Sequence, residues 1–188
     1  MPMLTRQKTV LAALLLIVLL LSACEREPAL EDGWKRVESQ TLGLSVAIPE
    51  AWVVSFVEGA MYLGSTQAAM DSQDFQGEAA VSITPAALSD LKDASTPEEI
   101  VDTFMIPFNN AVGNLVVTQD ITSTTLQGYP AAFTAFSGLI DQNQAAYTLT
   151  AAVIEKDQSA LMIFTVDGSP DGHFADALAA IVASITLK

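Results

Sequence analysis

The sequence predicts an α+β fold in which a central antiparallel β-sheet is flanked by helices on both faces, an αβα sandwich. Three observations predict it. Four runs rich in Val, Ile, Thr, Phe and Tyr follow one another: Leu115–Ser123, Ala131–Ile140, Ala145–Glu155 and Ala160–Val166. Only short turn clusters separate them, and strands joined by short turns pair antiparallel. Two other segments, one before these runs and one after, carry the 3.6-residue periodicity of amphipathic helices. Finally, Ala160–Val166 is apolar at both parities, as a central strand covered on both faces requires.

Taken in chain order, Trp34–Glu38 is a first short strand. Leu44, Val46 and Ile48 alternate with Ser45 and Ala47, the period of a second strand. Pro49-Glu50-Ala51 then reads as a tight turn, with Trp52–Val57 returning as the other half of a hairpin. Met61–Leu63 extends the sheet, Gly64–Glu78 is polar loop, and Ala80–Thr84 is a strand ended by Pro85. Thr96-Pro97-Glu98-Glu99 places Thr at an N-cap, Pro at the first helical position and Glu at the third, which is a capping box. Ile100, Phe104 and Phe108 continue it on one face, and Pro107 should end or kink this helix near residue 106. The four-strand series follows, its turns at 128–130, 141–143 and 156–158. Ser169-Pro170 opens a last helix whose apolar face is Phe174, Leu178, Ile181, Val182 and Ile185.

The N-terminus carries a separate message. Residues 1–9 hold Arg6 and Lys8 and no acid, and Val10–Leu21 is an unbroken apolar run. A membrane span needs ~20 such residues, whereas a secretory h-region needs ~7–15. The run ends in Leu21-Ser22-Ala23-Cys24, which resembles the lipobox of bacterial lipoproteins. Residues 1–23 are therefore expected to be a removed signal peptide. Cys24 is expected to carry lipid, palmitate included, with residues 24–32 as a short tether and 33–188 as a single domain. Cys24 is the sole cysteine, so no internal disulfide is possible and lipidation accounts for the odd thiol. Several acyl chains at ~0.8 kcal/mol per buried CH₂ anchor a protein stably on the extracytoplasmic side of a bacterial membrane.

Beyond residue 23 there are six Lys and Arg against 22 Asp and Glu, a net of −16. That charge repels nucleic acid and anionic headgroups. Expected partners are thus the membrane, through the lipid on Cys24, and an unidentified protein, with no nucleic acid.

The element order also carries a family likeness. Gly43–Trp52, Val81–Pro85, Leu88–Leu91, Ser95–Glu99, Gly128–Ala131 and Ala183–Leu187 together resemble the PsbP/Mog1-like superfamily over residues 33–188. The resemblance implies the αβα sandwich and mostly non-catalytic roles: extrinsic photosystem II subunits, a nuclear transport factor and bacterial lipoproteins. No photosystem contact motif is present to carry over.

A search for chemistry yields little. Hydrolysis needs a nucleophile, a base and an orienter. The chain has one histidine, His173 in Asp171-Gly-His-Phe-Ala-Asp176, and no Gly-x-Ser-x-Gly elbow. A solvent-facing His at a helix start, beside acids that suit the helix dipole, is the simpler account. Asp71, Asp74 and Glu78 lack EF-hand spacing and fit a solvated loop. Trp34, Trp52 and Tyr129 could line a ligand site or pack the core. The expectation is a non-enzymatic binding or assembly module without catalytic residue, cofactor or metal. A small-ligand receptor or hydrolase in the same compartment is the alternative, and a photosystem II extrinsic-type subunit a further one.

Overall fold

Turn residues decide how the strands are joined, and two of the turns are two-residue hairpins with both central residues left-handed. Glu58 and Gly59 have φ of 50° and 84°, and Gln127 and Gly128 have φ of 51° and 83°. This is the turn whose twist matches that of paired strands, and glycine takes its second position without strain.

The computed structural model describes residues 30–71, 75–91, 94–111, 113–140, 143–154 and 158–188. Residues 1–29, and with them Cys24 and the segment expected to be a signal peptide, lie outside the described residues. Asp32–Lys188 forms one unit. Its strands are β1 (Trp34–Ser39), β2 (Leu44–Pro49), β3 (Val53–Val57), β4 (Ala60–Gly64), β5 (Ala79–Ala87), β6 (Gly113–Leu126), β7 (Tyr129–Ile140), β8 (Asn143–Ile154), β9 (Ser159–Asp167) and β10 (Thr186–Leu187). Its helices are α1 (Gln67–Asp71), α2 (Pro97–Ala111) and α3 (Ala175–Ala183).

Seven strands form one antiparallel sheet in the order β3-β4-β5-β9-β8-β7-β6, and β1-β2-β10 form a second, smaller one. The expected meander is present as β6–β9, each strand paired with the next. β9 is the fourth of the seven strands and is buried at both parities, as its sequence requires. Leu161 and Ile163 point to one apolar cluster, while Ala160, Met162 and Val166 point to another.

Those two clusters lie on opposite faces of the large sheet, and their covers differ. On one face α2 supplies Ile100, Val101 and Met105 against Phe136, Tyr147 and Leu149. On the other, Leu44, Val46 and Ile48 of β2 join Leu178 and Ile181 of α3 and the following Ile185 over Met61, Leu63, Val81 and Ile83. The antiparallel sheet is as expected. In place of a plain helical layer on each face, the second cover is shared between a small sheet and one helix.

Five local expectations need correction. β2 does not form a hairpin with β3: it pairs with β1, and β3 pairs with β4. Pro49-Glu50-Ala51 instead carries the chain from the small sheet to the large one. Pro85 does not end β5, which runs on to Ala87. The β4–β5 ladder stops at Met61 opposite Ile83, so beyond it β5 has a neighbour on one side only, where proline is tolerated. Pro107 does not end α2, which continues to Ala111. One missing helix bond is offset by packing of Phe104 and Phe108 on the sheet. The 64–78 segment contains α1, started by Thr66, whose Oγ1 accepts a bond from the Ala69 N–H at 3.3 Å. The last helix begins at Ala175, because Gly172, with φ of 68°, breaks the path from Ser169.

The capping box is observed in full. Thr96 Oγ1 accepts from the Glu99 N–H at 3.3 Å, and Glu99 Oε2 accepts from the N–H groups of Thr96 at 3.2 Å and Ser95 at 2.8 Å.

Candidate functional site

His173 sits in the turn before α3 with a half-exposed side chain. Its Nδ1 lies 2.8 Å from Asp171 Oδ1, and its ring packs on Phe174 at 4.1 Å between centroids. The bond to His173 holds the Asp171 carboxyl below the ordinary carboxylate range. This is an exposed pair that tidies a helix entry.

Two acids of the 71–78 segment, Asp71 and Glu78, bond to nearby side chains. Asp71 Oδ1 accepts from Gln67 Nε2 at 2.7 Å, and Glu78 Oε2 accepts from Ser65 Oγ at 2.5 Å. Ser65 Oγ in turn accepts the Ala79 N–H at 2.9 Å, so this serine ties the start of the loop to its end. Asp74 lies outside the described residues. Among the described residues no three His, Cys, Asp or Glu side chains are grouped as metal ligands.

Trp34, Trp52 and Tyr129 all join the apolar cluster under the small sheet. Trp52 is 5% exposed and meets Phe174 edge-on, 6.1 Å between centroids. Tyr129 borders a cleft of about 70 Å³ shared with Pro85, Ile154, Leu161 and Leu187. That is far below the ~300–1,000 Å³ of ligand pockets. A second buried aromatic group, under α2, stacks Phe136 on Tyr147 at 5.1 Å and Phe108 on Phe164 at 4.7 Å. Among the described residues the Tyr147 hydroxyl has no hydrogen-bond partner, and burial pushes its pKa up to about 12.

The surface feature that sequence reasoning missed is an open groove of about 300 Å³ between the β1–β2 turn and the β3–β4 hairpin. Glu38, Ser39 and Gln40 line one side, and Phe56, Glu58 and Gly59 the other. Phe56 is 54% exposed and Val57 50%, and Tyr62 on the paired strand is also exposed. Glu38 bonds Lys188 Nζ at 2.9 Å on the outer rim. Two signals for it existed in the sequence: the Glu58-Gly59 pair, a two-residue hairpin dipeptide, and the wholly uncharged Val53–Val57 that precedes it.

Among the described residues no helix is long and apolar enough to cross a membrane. No family model matches the chain, and no curated protein matches it in sequence. Solved structures do match in fold. LpqN of Mycobacterium tuberculosis, involved in cell envelope biogenesis, is 16% identical with a TM-score of 0.55, over 81% of this chain and 89% of that one. The cyanobacterial PsbP (CyanoP) of Synechocystis sp. PCC 6803 is 15% identical with a TM-score of 0.56, over 86% and 96%. The Ran-binding protein Mog1p of Saccharomyces cerevisiae is 10% identical with a TM-score of 0.56, over 82% and 95%. The fold is thus PsbP/Mog1-like.

Proposed function

We propose that this chain is a non-enzymatic binding or assembly module, held by lipid on Cys24 at the extracytoplasmic side of a bacterial membrane, and that its partner is a protein. The observation that carries the binding role is Phe56, a large apolar side chain 54% exposed at the end of β3 and lining an open groove, with Val57 and Tyr62 exposed on the opposite face of the same hairpin. Large apolar side chains left exposed beside a groove mark interaction surfaces. Two of the similar folds bear names that point the same way: one binds Ran, and another is involved in cell envelope biogenesis. The anchor rests on the Leu21–Cys24 box and the signal-type run before it. A small-ligand role would ask for an enclosed pocket with converging polar groups, and the two cavities described are a small cleft and an open groove.

Two measurements test the reading. Cys24→Ala should leave the unprocessed precursor and abolish acyl labelling; normal processing and labelling would refute the anchor. Mild crosslinking in intact membranes should join the anchored protein to one specific protein. Absence of any crosslinked partner would refute the module.

A further inference from the structure

The two edges of the large sheet are built differently. β6, at one edge, is 14 residues long, and its pairing with β7 shifts register at three places between Gly113 and Thr122. It also carries Asp120, and α2 packs against it. Irregular pairing, a charge and a covering helix all discourage further strand addition. β3, at the opposite edge, has neither irregular pairing nor a charge, and the helix that touches it, α1, is five residues long. Val53–Val57 carries no charge, its register with β4 is unbroken, and its last two residues are exposed and apolar.

The hairpin turn fixes which backbone groups β3 leaves free. Across a two-residue turn, Val57 and Ala60 exchange both of their bonds, and hydrogen-bonded pairs then alternate along the ladder. Ser55 and Val53 therefore also bond to β4, while Val54 and Phe56 direct N–H and C=O outward. Phe56 lies on the same side of the sheet as its buried partner Met61, the side that faces the small sheet and the groove. Two carboxylates line the groove: Glu38, which is paired with Lys188, and Glu58 in the hairpin turn.

We propose that β3 is a docking edge that takes an extended segment of a partner protein as an added strand, β-branched at its centre and basic at the end beside Glu58. This rests on the module reading above and specifies its surface. Outward N–H and C=O groups of Val54 and Phe56 supply main-chain bonds, Phe56 supplies an apolar cross-strand contact, and Glu58 receives the basic end. Charge decides between occupants. A second copy would bring its own −16 to the same place, whereas a basic segment is attracted there.

The test uses the full acylated chain in neutral detergent micelles and the synthetic peptide Lys-Lys-Val-Thr-Val-Thr-Val-Lys-Lys. The peptide should bind and slow amide exchange at Val54 and Phe56 above all other β3 positions. Replacing its four Lys by Glu should weaken binding by about tenfold or more, and replacing its central Val by Pro should abolish it. Val54→Pro should also abolish binding. Because that change could unfold β3, Phe56→Lys is the companion variant: it keeps the backbone intact and should weaken binding by about tenfold or more. No binding, or binding indifferent to the peptide proline, would overturn the proposal. So would a dimer that already protects Val54 and Phe56 before peptide is added. If membrane crosslinking still recovers the partner with Phe56→Lys, the edge assignment fails while the module stands; if wild type yields no crosslink, the module itself fails.

Discussion

The two faces of the large sheet are covered by helices attached in different ways. α3 is joined to the small sheet through a buried-side hydroxyl: Ser184, directly after it, accepts the Ala47 N–H at 2.9 Å and lies 3.2 Å from the Ala47 carbonyl oxygen. β10 then follows at once and pairs with β2. Helix, serine and strand thus form one continuous attachment to β2. Among the described residues α2 has no buried link of that kind. It is held by its apolar face, by its own capping box, and by one exposed bond in which Ser123 Oγ of β6 donates to Glu98 Oε1. The second cover is consequently a unit whose parts depend on each other, and the first is a helix that can loosen alone.

The sharpest way to break this comparison is to cut an equal hole under each helix. Ile181 and Ile100 are both fully buried, one under each cover. Ile181→Ala and Ile100→Ala should each destabilise the fold by about 2–5 kcal/mol in denaturant unfolding. Amide exchange should separate them. Loss of Ile181 should speed exchange in β2 and β10 as well as α3, while loss of Ile100 should speed exchange in α2 and spare the other strands. Equal spreading in both variants would remove the distinction.

Smaller cuts at the attachments follow the same logic. Ser184→Ala leaves the Ala47 N–H, on a residue only 6% exposed, without its acceptor, which costs about 1–3 kcal/mol. Thr96→Ala removes an exposed cap and should cost about 1 kcal/mol. Thermal unfolding of the two variants should therefore rank Ser184→Ala as the more damaging. The reverse order would mean that the capping box, and not the serine link, is the stronger attachment.

How far the sequence already spoke can be judged from these same parts. The capping box, the β6–β9 meander and the doubly buried β9 were all legible, because each is written in residues adjacent along the chain. The pairing of β2 with β1 was not, since Pro49-Glu50-Ala51 is equally compatible with a turn inside one sheet and a passage between two. Pro85 and Pro107 misled because what makes each tolerable lies far along the chain: Pro85 falls where β5 has a neighbour on one side only, and the helix bond missing at Pro107 is offset by packing of Phe104 and Phe108 on the sheet. The Ser184 link spans 137 residues and leaves no local trace. The docking edge left a partial trace: Glu58-Gly59 and the uncharged Val53–Val57 are local, but the strand order alone places β3 last.

The smallest expected effect isolates the bond between Glu98 of α2 and Ser123 at the sheet edge. Hydrogen bonding to Ser123 is the main cause that holds the Glu98 carboxyl below its ordinary 4.5, and the backbone N–H of Ser95 does the same for Glu99. Both are depressed folded-state values, so their contribution is present above pH 4.5 and is lost as pH falls through the lower folded-state value. Carboxyl NMR titration should find both midpoints below 4.5. Ser123→Ala should then raise the Glu98 midpoint and leave that of Glu99 in place, because the cap that sets Glu99 does not involve β6. Equal movement of both midpoints would show that the strand contact and the capping box act as one unit. α2 would then be tied to its edge more firmly than a single exposed bond allows.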